Sequence, residues 1–279
     1  MHNENTSTLL TPTRKASRKL LRLISTSVLG LAIYAGGMGC SAMTKGRLDA
    51  VTPVTNAVEK PRVGSVYLLR GFIGVFSTGI DSLGQQIVDR GIHAEVFQES
   101  QTASLAARIA EVYKNNPSRE PLVLVGHSYG ADSTIRVARA LKENGITVDL
   151  IVTLDPVTPP KVPENITRVV NLYQSNGAFD ALPWLRGIAL TPETEDTLVL
   201  ENINIRTDRI DLLEPGTDHF NIEKKSKIQS EVIARVLEVC IERPAWAANQ
   251  NRLQLAGLAS RSGGLGDKAS PSTRPAATR

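Results

Sequence analysis

A chain of 279 residues, 41% hydrophobic and 22% charged, falls in the ordinary globular range and is long enough to bury one large core. Its net charge of +4 does not describe a basic surface. Ten of its 32 Lys and Arg lie at the two ends: Arg14, Lys15, Arg18, Lys19 and Arg22, then Arg252, Arg261, Lys268, Arg274 and Arg279. With those set aside, and only Glu4 and Asp267 acidic in the same stretches, 22 basic residues face 26 acidic ones. That balance speaks against a nucleic-acid partner. Cys40 and Cys240 belong to no Cys-x-x-Cys or Cys/His spacing, so neither a metal site nor a disulfide framework nor any cofactor is implied.

Residues 14–22 carry five positive charges and are followed by an uncharged, mostly apolar run over residues 23–37, then by small residues and Cys40. This is the layout of an export signal: a basic start, an apolar stretch and a small-residue cleavage region. Gly37-Met38-Gly39-Cys40 resembles a bacterial lipobox, apart from Gly37 where such motifs carry Leu, and makes Cys40 the candidate lipidation site. The other reading is an uncleaved anchor over Leu20–Met38, interrupted by Arg22. Either way residues 1–40 predict an exported protein, periplasmic or membrane-associated through its N-terminus in a bacterium. Residues 41–62, with Pro53 and Pro61, read as a linker.

The rhythm then becomes strand, turn, helix. Val66–Leu69 reads as a buried strand, followed by the glycine-rich Arg70–Gly74 and a helix carrying Leu83 and Ile87 that stops at Gly91. His93–Phe97 is a second strand, Leu105, Ile109 and Val112 mark one face of a helix, and Leu122–Val125 is a third strand. A helix over Tyr129–Lys142 closes at Asn144-Gly145; Leu150–Leu154 and Val169–Tyr173 are further strands, and Ile228, Val232 and Val236 mark a last amphipathic helix. Short apolar strands alternating with helices predict an α/β fold, a mostly parallel sheet with helices on both faces, over residues 63–241. The stretch 242–279, rich in Pro, Ala, Ser, Gly and Arg without a period, predicts a disordered tail. Segments 156–165 and 176–200, with their prolines and with Phe179, Leu182, Trp184 and Leu185, read as a lid.

In such sheets ligands bind beyond the carboxyl ends of the strands, so the residues just after each strand carry the chemistry. Gly126-His127-Ser128-Tyr129-Gly130 places the pattern G-x-S-x-G between a strand and a helix. A serine there sits on a strained turn that exposes its hydroxyl, and Gly126 and Gly130 avoid side-chain clashes around it. A serine hydroxyl needs a base near neutral pH, and histidine is the usual one. Of the four histidines, His2 precedes the export signal, His93 begins a strand and His127 is the variable residue of the elbow, pointing away from the hydroxyl. His219, in a loop before the last helix, remains as the base. An acid must orient it. Asp155 follows the strand Leu150–Leu154 directly, Asp180 follows the next one at a longer remove, and Asp218 is poorly placed to reach its neighbour's ring. Asp155 is favoured, with Asp180 as the alternative.

The elbow, Leu154-Asp155-Pro156 and Asp218-His219-Phe220 together resemble the α/β-hydrolase superfamily, most closely its thioesterase-domain and lipase members, over roughly residues 63–240. The resemblance implies an α/β-hydrolase fold and an oxyanion hole of two backbone amides, that of Tyr129 after the nucleophile and that of Phe72 after Gly71, with Gly71 and Gly74 permitting close approach. The chain has no His-Gly-Gly-Gly stretch and so departs from one lipase subgroup. The expected activity is hydrolysis of an ester or thioester, the substrate a small-molecule or lipid acyl ester. The competing readings are an acyltransferase built on the same acyl enzyme and a catalytically silent protein that keeps the fold as a scaffold.

Overall fold

Runs of leucine and β-branched side chains build the strands: β1 (Ser65–Leu69), β2 (His93–Phe97), β3 (Leu122–His127), β4 (Leu150–Leu154), β5 (Arg168–Tyr173) and β6 (Val199–Asn204). The computed structural model describes residues 60–72, 77–114, 119–175, 187–194 and 199–263. The six strands pair in the order β2-β1-β3-β4-β5-β6, every pairing parallel. Parallel strands need long crossovers, and helices supply the first three: α1 (Gly79–Asp89), α2 (Thr102–Tyr113) and α3 (Tyr129–Lys142), while α4 (Ser226–Val239) follows the last strand. This is the α/β-hydrolase architecture the sequence predicts.

The two-residue period of the strands divides the core into two layers. Val66 and Leu68 of β1 face one side with Val123, Val125, Val152 and Leu154, and meet Ile80, Leu83 and Ile87 of α1 and Ile228, Val232 and Val236 of α4. Tyr67 and Leu69 face the other side with Leu122, Leu124 and Ile151, under Leu105 and Ile109 of α2 and Ile135, Ala138 and Leu141 of α3. The helical residues recur at intervals of three and four, which puts each set on one face. Because β1, β3 and β4 are covered on both sides, they read as continuous apolar runs. Each fully buried leucine, isoleucine or valine contributes ~1.5–3 kcal/mol to this packing.

Starting from β1 the chain adds β2 on one side and β3 on the other. The carboxyl ends of β1 and β3 therefore lie at the reversal of strand order, where a crevice forms.

Two expectations are corrected. Residues 199 and 200, read as part of a lid, begin β6, an edge strand whose Glu201, Asn202 and Asn204 break the apolar alternation. Asn202 is nonetheless needed there: its side chain pairs with both the N–H and the C=O of Leu190 and accepts from Asn171. The disordered tail expected over residues 242–279 is corrected over Arg243–Gly263, which forms a helix, α5; residues 264–279 lie outside the described residues. Arg243 anchors its start by donating to the Lys60 carbonyl and to Glu120, and Ala, Leu, Gln and Arg residues, all good helix formers, fill the turns that follow. Residues 1–59, with Cys40 and the export segment, and Gly74, Asp180 and most of the expected 176–200 lid lie outside the described residues. Among the described residues no helix is long and apolar enough to cross a membrane.

Candidate active site

Ser128 occupies a one-residue turn between β3 and α3, with φ 57° and ψ −127°. For a residue with a side chain this is a sparsely populated conformation, held only where the surroundings over-determine it. They do so here. Its N–H donates to Leu154 O at 2.9 Å, and its C=O accepts from Ala131 and Asp132 in the first turn of α3. A β-carbon on Gly126 would run into the backbone of Gly130, and one on Gly130 into the carbonyls of Leu69 and Arg70, so both elbow glycines answer to close approach of backbone.

The loop after β1 presses against this turn. A β-carbon on Gly71 would stand 3.1 Å from Cβ of Ser128, so the Gly71–Phe72 peptide is drawn close to Ser128. Tyr129 is the first residue of α3, where a helix leaves its N–H groups without intrahelical partners and concentrates partial positive charge. The two candidate oxyanion residues, Phe72 and Tyr129, thus flank Ser128, and their rings pack at 5.9 Å between centroids.

His219 lies in the segment between β6 and α4 and is buried. Its Nε2 is 3.0 Å from Ser128 Oγ. Its Nδ1 is 3.4 Å from Asp155 Oδ2, a pairing in the right sense but longer than a formed hydrogen bond. Asp155 follows β4 directly with φ 47° and is fully buried. Its carboxylate accepts from Gln174 N at 2.7 Å through Oδ1 and from Gln174 Nε2 at 2.9 Å through Oδ2. Asp155, Ser128 and His219 therefore converge beyond the carboxyl end of the sheet. Ser128 opens on a cavity of about 140 Å³ lined by Gly71, Phe72, Ser77, His127, Tyr129, His219 and Phe220.

Several residues that support this arrangement escaped the sequence reading. Gln174 stands just after β5 as Asp155 stands after β4, and strand-end position is the one signal that pointed to it. Asp132, on the first turn of α3, accepts from the N–H groups of Val157 and Thr158 and from the Thr158 hydroxyl, fixing the loop that leaves Asp155. Burial raises the Asp132 pKa above its ordinary value against the lowering by Thr158 and Val157. His127, the variable residue of the elbow, is engaged on both ring nitrogens: Nδ1 is 2.8 Å from Ser77 Oγ and Nε2 is 2.8 Å from the carbonyl oxygen of His219. Burial, with the His219 ring beside it, pushes its pKa down to about 3, so it is neutral and no rival base. Glu223 is fully buried with Oε2 at 3.8 Å from His127 Nε2, and burial pushes its carboxyl up to about 7.

Residues 83–177 match the family model of the Thioesterase domain, a stretch running from α1 through β5 that holds Ser128 and Asp155 but not His219. No curated protein matches the chain. Solved structures similar to it include the thioesterase domain of NocB from the nocardicin cluster, 15% identical over 63% of this chain and 94% of that one, with a TM-score of 0.39. Est1E from Butyrivibrio proteoclasticus is 11% identical over 66% and 90%, with a TM-score of 0.38. A cutinase-like protein from Cryptococcus sp. is 16% identical over 63% and 93%, with a TM-score of 0.34.

Proposed function

We propose that this chain is an ester or thioester hydrolase of the α/β-hydrolase superfamily and that it works through a covalent acyl enzyme formed on Ser128. The observation that carries the reading is the 3.0 Å approach of Ser128 Oγ to His219 Nε2 on a strained strand-to-helix turn. A hydroxyl so placed gives its proton to the imidazole as its oxygen attacks an acyl carbonyl. The carbonyl oxygen gains negative charge and is met by the backbone N–H groups of Phe72 and Tyr129, at the positive end of α3. His219 then carries two ring protons, and the Nδ1–H faces Asp155, whose charge stabilises the imidazolium. Collapse of the tetrahedral species expels the alcohol or thiol, with the His219 proton delivered to it. Water enters, loses a proton to His219, attacks the acyl carbon and releases the acid, restoring the Ser128 hydroxyl.

Three rings, Phe72, Tyr129 and Phe220, line the cavity beside the serine, which supports an apolar acyl or alcohol moiety as the part of the substrate bound there. We also propose that residues 14–39 direct export, with lipidation of Cys40 as the means of membrane attachment.

Labelling with a fluorophosphonate, followed by a panel of esters and thioesters of graded acyl length, tests the hydrolase reading. Stoichiometric labelling that disappears in Ser128→Ala, together with turnover of at least one ester class, is the expected result. Undiminished labelling in Ser128→Ala would remove Ser128 from its role.

A further inference from the structure

The hydrogen bonds around His127 make a chain that the acyl-transfer steps do not use. The His219 carbonyl can only accept, so the 2.8 Å contact puts a proton on His127 Nε2. A neutral ring then has Nδ1 as an acceptor, and the Ser77 hydroxyl must donate to it across 2.8 Å. With its one proton committed, Ser77 Oγ accepts from Gly71 N–H at 3.0 Å. Each donor in the chain Gly71, Ser77, His127, His219 meets an acceptor, and Ser77, His127 and His219 are all buried. Its two ends are the two loops whose placement matters most: the turn carrying the Phe72 amide and the segment carrying the base.

We propose that His127 is a positioning residue that locks the backbone of His219 to the Gly71–Phe72 turn, setting the base and the oxyanion donor against Ser128 through one rigid ring. The proposal rests on the hydrolase reading above. Imidazole suits the task because it presents an acceptor and a donor on separate edges of a planar ring. Its own backbone is fixed by β3, where His127 pairs with Leu154 in register. The ring is held at both nitrogens and stands on the residue next to Ser128. Loosening a catalytic group by about 1 Å costs up to ~10²-fold in rate, so the bridge acts on the chemical step and not on substrate affinity.

The test compares His127→Phe, which keeps a planar ring but removes both nitrogens, with His127→Gln, whose amide nitrogen can still reach the His219 carbonyl. On a short activated ester, His127→Phe is expected to lose ~10–100-fold in kcat with KM within about threefold, and His127→Gln to regain about tenfold. Ser77→Ala, which cuts the other end with little change in volume, is expected to lose about threefold to tenfold in kcat and carries the test if His127→Phe does not fold. In wild type, the 15N imidazole spectrum should show His127 as the Nε2–H tautomer, and the His219 resonances should shift or broaden in His127→Phe. A folded His127→Phe or a Ser77→Ala with kcat within about twofold of wild type would overturn the proposal, as would a glutamine variant no better than the phenylalanine one. An Nδ1–H tautomer at His127 would do the same. A wild-type chain that neither takes up the fluorophosphonate nor cleaves any ester would instead sink the hydrolase reading, and the two spectra would still decide the bridge.

Discussion

Arg206 reaches Gln174 across the carboxyl end of the sheet, its Nη2 donating to Gln174 Oε1 at 2.7 Å. The same nitrogen donates to Thr217 O at 2.9 Å. Gln174 in turn holds both oxygens of Asp155, so one guanidinium ties the residue that holds Asp155 to the loop that carries His219. Gln174→Met leaves buried Asp155 Oδ2 without the Gln174 Nε2 donor, and Arg206→Met leaves Gln174 Oε1 and Thr217 O short of theirs. Each change is expected to cost ~1–3 kcal/mol in stability by denaturant unfolding, and about tenfold or more in kcat. Because the two are hydrogen-bonded to each other, the double variant should lose less than the sum, with a coupling of ~0.5–3 kcal/mol. Additive losses would mean that the two residues act independently.

The identity of the acid makes a sharper prediction. Asp155 is fully buried with its Oδ2 at 3.4 Å from His219 Nδ1. In the proposed mechanism it fixes the tautomer that leaves Nε2 free to accept from Ser128. Asparagine there offers an N–H toward the same ring nitrogen and favours the wrong tautomer, so Asp155→Asn should lower kcat by ~10⁴-fold. Asp180→Asn should keep most of the activity. The reverse ranking, read from steady-state kcat on one ester, would move the acid to Asp180.

How much of this was legible follows from how local each signal is. The strands β1 to β5 and the helices α1 to α4 announce themselves through period, because a buried parallel strand or an amphipathic helix writes its environment into consecutive residues. Ser128 carries its own motif, and His219 emerged because the chain has only four histidines to choose from. Asp155 was legible from its place directly after β4. The supporting residues were not. Ser77, Gln174 and Arg206 act through partners 50, 19 and 32 residues away in the chain, and a lone polar residue does not record which distant group it meets. β6 was missed because polar residues interrupt its apolar pattern, Asn202 serving Leu190 in a loop and Glu201 accepting from Arg168 and Arg235. α5 was missed because the composition of the last residues masked the helix formers before them.

Glu223 and His127 give the stability a defined pH dependence. Glu223 keeps its proton in the folded state to about pH 7, while the unfolded chain releases it near the ordinary 4.5. Between those values the folded state binds more protons, so this group's contribution declines as pH rises, by about 3 kcal/mol at most. His127 behaves oppositely. Its folded pKa of about 3 lies below the ordinary 6.5, so its contribution is complete above 6.5 and declines as pH falls toward 3. The two slopes oppose each other between about pH 4.5 and 6.5 and place the maximum of their joint contribution there. Glu223→Gln removes the alkaline slope without removing volume. The variant should unfold at a higher temperature than wild type at pH 8 and show no gain at pH 4.5, in thermal melts followed by circular dichroism. An equal Tm difference at both pH values would mean that Glu223 is not the titrating group.

Export and attachment separate cleanly in one fractionation experiment. The order of residues 14–39, basic and then apolar, leads to Cys40. If Cys40 is acylated after cleavage, Cys40→Ser should move the mature chain from the membrane to the soluble fraction, with a mass change equal to the lost lipid. Equal membrane retention with an intact N-terminus in both forms would assign the attachment to an uncleaved anchor.

The last prediction concerns what the cavity selects. Phe72 and Phe220, both lining it, are 60% and 43% exposed, unusual for large apolar rings beside a buried serine. Phe72 contributes its backbone N–H to the proposed oxyanion hole, so its side chain is free to vary without removing that donor. If the rings take up an apolar substrate chain, each methylene buried against them contributes ~0.8 kcal/mol, or about fourfold in kcat/KM per carbon until the surface is filled. Phe220→Ala and Phe72→Ala should therefore flatten the dependence of kcat/KM on acyl length, with acetyl esters nearly unaffected and longer chains losing tenfold or so. The readout is the slope of log kcat/KM against carbon number for wild type and the two variants. Parallel slopes, with all esters lowered equally, would show that the rings support the backbone of the site and do not bind the chain.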